Sequence, residues 1–184
     1  MENIVVGIDV GTTKIAVFIG QRDEEGKISI IGMGKTTSSG VERGVVKNIE
    51  LTATAIKQAV EQAEAMANYQ VKEVYVGIAG HNIKSQPQRG NIMIPEDDHI
   101  ITIQDVEKLK KDQNNIALPP GEQIIHVVAQ SYSIDGDAST INPVGRVGKC
   151  LAGDFNLITG NVANIQNVYH SVRLAGYTVK ELIL

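Results

Sequence analysis

Apolar residues recur along this chain in two periods, and the switches between them mark its elements. Residues 4–9 form a short, nearly unbroken apolar run leading to a Gly11-Thr12-Thr13 turn, which predicts a buried strand. A second strand is expected over 15–20, a polar turn over 21–26 and a third strand over 28–33, which together make a meander. The second strand starts one residue after Lys14, too soon for a crossover helix, so residues 11–14 are expected to be a β-hairpin turn. Residues 36–44 are small and polar and read as a loop. From Asn48, a good N-cap, the period becomes helical. Ile49, Thr52, Ile56, Ala59, Val60, Ala63 and Met66 form one stripe, with Lys57, Glu61 and Glu64 on the wet side and Asn68 as the stop. Residues 73–79 then read as a strand.

The character changes near residue 81. Residues 84–89 are polar, and a short strand is expected over 91–94. Thr102-Ile103-Gln104-Asp105 has the form of a capping box with Asp in the usual Glu position, followed by a charged helix over 103–113. Leu118-Pro119-Pro120-Gly121 is a break. A long alternating strand is expected over 123–134, a Gly- and Asp-rich loop over 135–149 and another strand over 150–159. A helix carrying Val162, Ile165, Val168 and Val172 ends at Gly176, and residues 177–184 begin one more strand. The ending inside a strand reads as a fragment. The middle is expected to be a small β-α-β-β piece inserted into an α/β unit.

Composition narrows the class. The chain has 184 residues, 42% of them hydrophobic, with no Trp, so its core must come from Val, Ile, Leu and Ala. A net charge of −4 without long runs of one sign gives no footprint for nucleic acid. The one cysteine, Cys150, excludes an internal disulfide and fits a reducing compartment. No stretch approaches the roughly 20 apolar residues of a membrane span, and the first residues lack the pattern of a secretory signal. A cytoplasmic α/β protein is expected.

The strongest chemical signal is Gly7-Ile8-Asp9-Val10-Gly11-Thr12-Thr13-Lys14. A buried strand would present Asp9 at its carboxyl end, and Gly11 would allow a tight turn. The amides and hydroxyls of Thr12 and Thr13 would converge on phosphate oxygens, with Lys14 adding a cationic donor. Asp9 suits a hydrated Mg²⁺, which keeps its waters and takes few protein carboxylates. The same residues also suit a plain hairpin turn in which Asp9 and Thr12 cap backbone donors. The loop lacks the Walker spacing and its strand-to-helix setting.

The Asp-x-Gly-Thr-x-Lys hairpin opening a three-strand meander resembles the first phosphate loop of the actin, Hsp70 and sugar-kinase superfamily. Further runs narrow the resemblance to the FtsA family of bacterial cell-division proteins. They are Ile31-Gly32-Met33-Gly34, Ser39-Gly40-Val41, Gly44-Val45-Val46, the stretch 59–67, the strand 74–80, His126-Val127-Val128-Ala129-Gln130, Asn142-Pro143-Val144-Gly145 and Asn156-Leu157-Ile158-Thr159. Together they span essentially the whole chain.

That resemblance implies an α/β, actin-like (ribonuclease H-like) subdomain 1A, truncated and discontinuous over 1–81 and 162–184, with an SHS2-like β-α-β-β subdomain 1C over 82–161. It implies ATP and Mg²⁺ in the complete protein, Asp9 facing the metal through water, and Gly11, Thr12, Thr13 and Lys14 touching phosphates. The second phosphate loop, most of the adenosine pocket, the FtsZ-tail site and the membrane-binding C-terminal helix would lie beyond residue 184. The fragment is therefore expected to bind ATP weakly at best and not to hydrolyse it. The implied role is a scaffold that polymerises, tethers FtsZ to the inner membrane at the division site and recruits later partners such as FtsN through subdomain 1C. The alternatives are another ATPase of the superfamily or a pilus-assembly relative of FtsA.

Other candidates are weaker. His81, His99, His126 and His170 lack metal spacing, and Cys150 has no activating neighbour besides Lys149. Glu107, Lys108, Lys110, Lys111 and Asp112 suit a solvated helix face or a partner surface equally. The 123–134 strand suits a sheet edge, open to pairing with another chain, or a central position.

Overall fold

The computed structural model describes residues 4–80, 83–94 and 99–184. Strands β1 (Ile4–Val10), β2 (Lys14–Arg22) and β3 (Ile28–Thr37) form the antiparallel meander that the turn residues predict. Helix α1 (Ile49–Ala67) follows after a small hairpin, β4 (Val41–Glu42) and β5 (Val45–Val46). Its ends are set by the two asparagines. The Asn48 side chain accepts the Leu51 N–H at 3.0 Å, and Asn68 adopts the left-handed conformation at φ 48°. α1 buries Thr52, Ala53, Ala55, Ile56, Ala59, Val60 and Ala63. Burying a side chain such as Ile56 or Val60 is worth about 1.5–3 kcal/mol. The helix lies unusually close to β3, because a Cβ on Gly32 or Gly34 would run into the carbonyl oxygens of Ala63 and Ala59. The Gly-x-Gly pair in β3 is therefore a packing requirement.

β6 (Glu73–Gly77) returns parallel to β1, and β10 (Thr178–Ile183) adds parallel to β6 after α3 (Val162–Leu174), giving the sheet order β10-β6-β1-β2-β3. α3 ends as predicted at Gly176, whose φ of 100° accompanies bonds from its N–H to Arg173 O and from Tyr177 N–H to Val172 O. Burial, aided by the nearby Glu64 and Glu61 carboxylates, pushes the Tyr177 phenol up to about 12.

The chain divides into two compact units, Met1–His81 with Val162–Leu184, and Asn82–Asn161. The second runs β7 (Ile83–Met93), α2 (Ile103–Asp112), a 3₁₀ turn (Gln113–Asn115), β8 (Glu122–Ile134) and β9 (Cys150–Asn161). All pairings are antiparallel in the order β7-β9-β8. The capping box is present. Thr102 Oγ1 accepts the Asp105 N–H, and Asp105 Oδ2 accepts the Thr102 N–H at 2.8 Å. Leu109 from α2 joins Ile94, Ile101, Val127, Tyr132, Ile134, Leu151, Phe155 and Leu157 in the core, where Tyr132 and Phe155 meet edge to face at 6.2 Å.

Two expectations change, and one choice left open is decided. Residues 84–89 belong to one eleven-residue strand with 91–93, because β9 supplies partners along its whole length and a strand with one neighbour tolerates polar residues and Pro87. β3 runs on through Thr37, and the polar stretch behind it holds the β4–β5 hairpin instead of only a loop. The 122–134 strand takes an edge position, and two bulges, between Ile124 and His126 and between Ala129 and Ser131, bend it.

Candidate functional site

The loop between β1 and β2 is a tight hairpin, as its spacing predicts. The Gly11 N–H bonds to Lys14 O at 3.1 Å, and a Cβ on Gly11 would sit only 2.7 Å from that oxygen. Val10 and Ile15 face each other in register and are buried, so the loop is anchored at its base while Thr12, Thr13 and Lys14 are exposed. Asp9 lies opposite Ala16 and beside Gly77 of β6, on the sheet face away from α1. Glycine at position 77 puts no side chain against the Asp9 carboxylate. A Cβ there would stand 3.8 Å from Asp9 Oδ1.

Each loop residue has a definable capacity. Thr13 O accepts the Ser38 N–H at 3.1 Å, and Thr12 Oγ1 accepts the Gly44 N–H at 3.0 Å. Among the described residues, neither the Thr12 nor the Thr13 backbone N–H has a protein acceptor. Two amide donors, two hydroxyls and one ammonium thus stand within three residues, a donor set suited to phosphate oxygens. Asp9 supplies one exposed carboxylate, which fits a magnesium ion that retains its water and not a cage of protein ligands. Among the described residues no group of three or more His, Cys, Asp and Glu gathers anywhere.

Two contributors to the loop's surroundings escaped sequence reasoning. Lys35 and Thr37 of β3, with Thr36, line a groove of about 390 Å³ shared with Thr13 and Lys14. Lys14 pairs with Thr37 and Lys35 with Ala16, so both lysines project on the same face, and among the described residues neither forms an ion pair. The other is Gly44, which reaches the loop only because the β4–β5 hairpin folds against it. An Arg-Gly turn between Val41-Glu42 and Val45-Val46 is the signal that could have shown it.

The remaining candidates have ordinary settings. Cys150 is half-buried, with the Asn91 amide 3.8 Å from its Sγ. His81 lies outside the described residues. His99, His126 and His170 do not converge with other ligands among the described residues. On the open face of the second sheet, Arg89 bonds both Asp154 oxygens and Ser133 Oγ, and Ser131 Oγ also reaches Asp154.

Residues 80–159 match the family described as the SHS2 domain inserted in FTSA. Over 98% of its length the chain is 32% identical to the cell division protein FtsA of Pseudomonas aeruginosa, covering 43% of that protein. It is 31% identical to FtsA of Borreliella burgdorferi over 100% of the chain and 44% of the relative, and 32% identical to FtsA of Escherichia coli over 99% and 43%. Among solved structures, a chain of the PilM-PilN type IV pilus biogenesis complex superposes with a TM-score of 0.67 over 100% of this chain and 47% of that one. At 12% identity, this likeness speaks for the fold alone. An actin-like ATPase fold interrupted by an SHS2 insert is the class that the likeness of fold and the matched insert define. Within that class the chain is FtsA-like from one end to the other, and it spans less than half the length of the FtsA proteins it matches.

Proposed function

We propose that this chain supplies the first phosphate loop and the partner-binding insert of a cell-division scaffold of the FtsA type. The similarity to FtsA proteins along the entire chain carries the reading, and the donor-rich 9–14 hairpin agrees with it. ATP with Mg²⁺ is the ligand. The Thr12 and Thr13 amides and hydroxyls and the Lys14 ammonium bind and orient phosphate oxygens, Gly11 shapes the turn, and Asp9 accepts hydrogen bonds from the waters of the metal. The metal supplies charge neutralisation of the phosphates when bound. One loop presents half of such a site, so the 184-residue chain binds ATP weakly and does not turn it over. Titration calorimetry with Mg-ATP tests this, and tight, Mg²⁺-dependent binding to this chain would sink the half-site reading.

In the complete protein we place the chain in a filament-forming scaffold that tethers FtsZ to the cytoplasmic face of the inner membrane at the division site. Residues 82–161 serve as the contact for self-association and for late partners such as FtsN. FtsZ and membrane contacts belong to the part beyond residue 184. In this chain no helix of the described residues is long and apolar enough to cross a membrane. Co-sedimentation of the complete protein with FtsZ filaments is the decisive assay. Failure to co-pellet at concentrations where the filaments form would count against the scaffold reading.

A further inference from the structure

We propose that the Thr12 hydroxyl couples the phosphate loop to the segment through which the chain passes into the inserted unit, with the Arg43–Gly44 turn as the connecting piece. The inference rests on the reading of residues 9–14 as a phosphate site.

Three contacts carry it. Thr12 Oγ1 accepts the Gly44 N–H at 3.0 Å. Arg43 and Gly44 both have positive φ, 50° and 76°, which closes β4 and β5 in a narrow two-residue turn. On its other side the tip presses against Ala79 and Gly80, just after β6. A Cβ on Gly44 would collide with the Ala79 carbonyl oxygen and lie 3.1 Å from Gly80 Cα. Seen from Gly80, whose φ is 146°, an added Cβ would stand 3.4 Å from Arg43 O and 3.5 Å from Gly44 O. The backbones can touch because Gly44 lacks a side chain, while Gly80 holds a positive φ that side-chain-bearing residues rarely adopt. Gly80 is the last described residue before β7 begins at Ile83.

The base of the hairpin is held firmly. Val41, Val45 and Val46 are buried, the Lys47 and Asn48 amides both donate to Gly40 O, and Asn167 Nδ2 donates to Val46 O at 3.2 Å. The tip is therefore the part of the hairpin left to respond, and it is clamped between Thr12 and residues 79–80.

A threonine hydroxyl has one proton and two lone pairs. Accepting from Gly44 uses one lone pair and leaves the proton to donate to a phosphate oxygen. Donation to an anion polarises the hydroxyl and makes its oxygen a stronger acceptor for the Gly44 N–H. Occupancy of the loop thus draws the turn toward Thr12 and changes its packing on Ala79 and Gly80. By reciprocity, a partner that fixes the 79–80 segment strengthens phosphate binding by the same factor. Thr12 acts here as a positioning residue as well as a phosphate donor.

The test is an amide-resolved NMR titration of the 184-residue chain with Mg-ATP, repeated with tripolyphosphate. The expected result is that Gly44 and Gly80 shift along the same saturation curve as Gly11 to Lys14. Thr12→Ser keeps all of these shifts, and Thr12→Val loses those at Gly44 and Gly80. If Thr12→Val fails to fold, Gly44→Ala, which wedges the turn away from Ala79 but keeps the hydroxyl, should retain the loop shifts and lose that of Gly80. Loop shifts without any response at Gly44 and Gly80 in the unaltered chain overturn the coupling and leave the phosphate reading standing. So does a full-size Gly80 response in Thr12→Val. No shift in the loop itself overturns both.

Discussion

Replacing Leu109 by alanine should loosen the inserted unit selectively. Leu109 is fully buried and is the one residue of α2 that is, while Val106 packs partly against the same core. Its Cδ2 approaches the position a Cβ would take on Gly153 to 3.3 Å, so the side chain fills the space above the central strand beside Phe155. A ten-residue helix is too short to persist on its own, and α2 depends on this anchor. Leu-to-Ala changes at such sites remove the transfer free energy and leave a cavity, at about 3 kcal/mol in a range of roughly 2.7–5. For a cooperative unit of this size that corresponds to a fall in Tm of roughly 12–24 °C. Ile103→Ala on the same helix, at a side chain 60% exposed, should cost less than about 0.5 kcal/mol. Two units need not unfold together, so the measurement should pair denaturant melts with hydrogen exchange resolved by segment. Faster exchange confined to 83–161 is expected. A loss below about 1 kcal/mol, or one spread equally over the first unit, would refute the assignment of Leu109 as the anchor.

Other outcomes follow from single contacts. Thr102→Ala removes one half of the capping box and should cost about 1 kcal/mol, read as a lower denaturation midpoint with an unchanged slope. The Tyr177 phenol is raised in the folded chain to about 12, so the folded state favours its neutral form. That contribution is complete below the unfolded value of 10.0 and is lost as pH rises toward 12, so stability should fall across that window, and Tyr177→Phe should flatten the profile. Lys14→Ala should weaken tripolyphosphate binding more than Lys35→Ala does, and both losses should shrink at high salt. Equal affinity for all three proteins would argue against an anion site at this loop.

Local chemistry was legible wherever a residue acts on its own neighbourhood. Asn48, Asn68 and Gly176 mark helix ends, Thr102 and Asp105 form their box, and the spacing around Gly11 makes a hairpin, because each of these depends on a few adjacent backbone groups. The polar strand over 84–89 was illegible for the opposite reason. Nothing in Lys84-Ser85-Gln86-Pro87-Gln88 favours a strand, and the pairing comes from β9, more than sixty residues away.

The candidate site divides in the same way. The order Asp9, Gly11, Thr12, Thr13 and Lys14 by itself determined a turn rich in donors behind a buried strand, since hairpin geometry and donor chemistry belong to consecutive residues. Only the tertiary structure decided what surrounds it. Lys35 comes to the same face through strand pairing, Gly77 pairs beside Asp9, and Gly44 meets Thr12 across 32 positions of sequence. Those contacts arise from close packing between distant segments, where the absence of a methyl group at Gly44 sets how near its turn can come to Ala79.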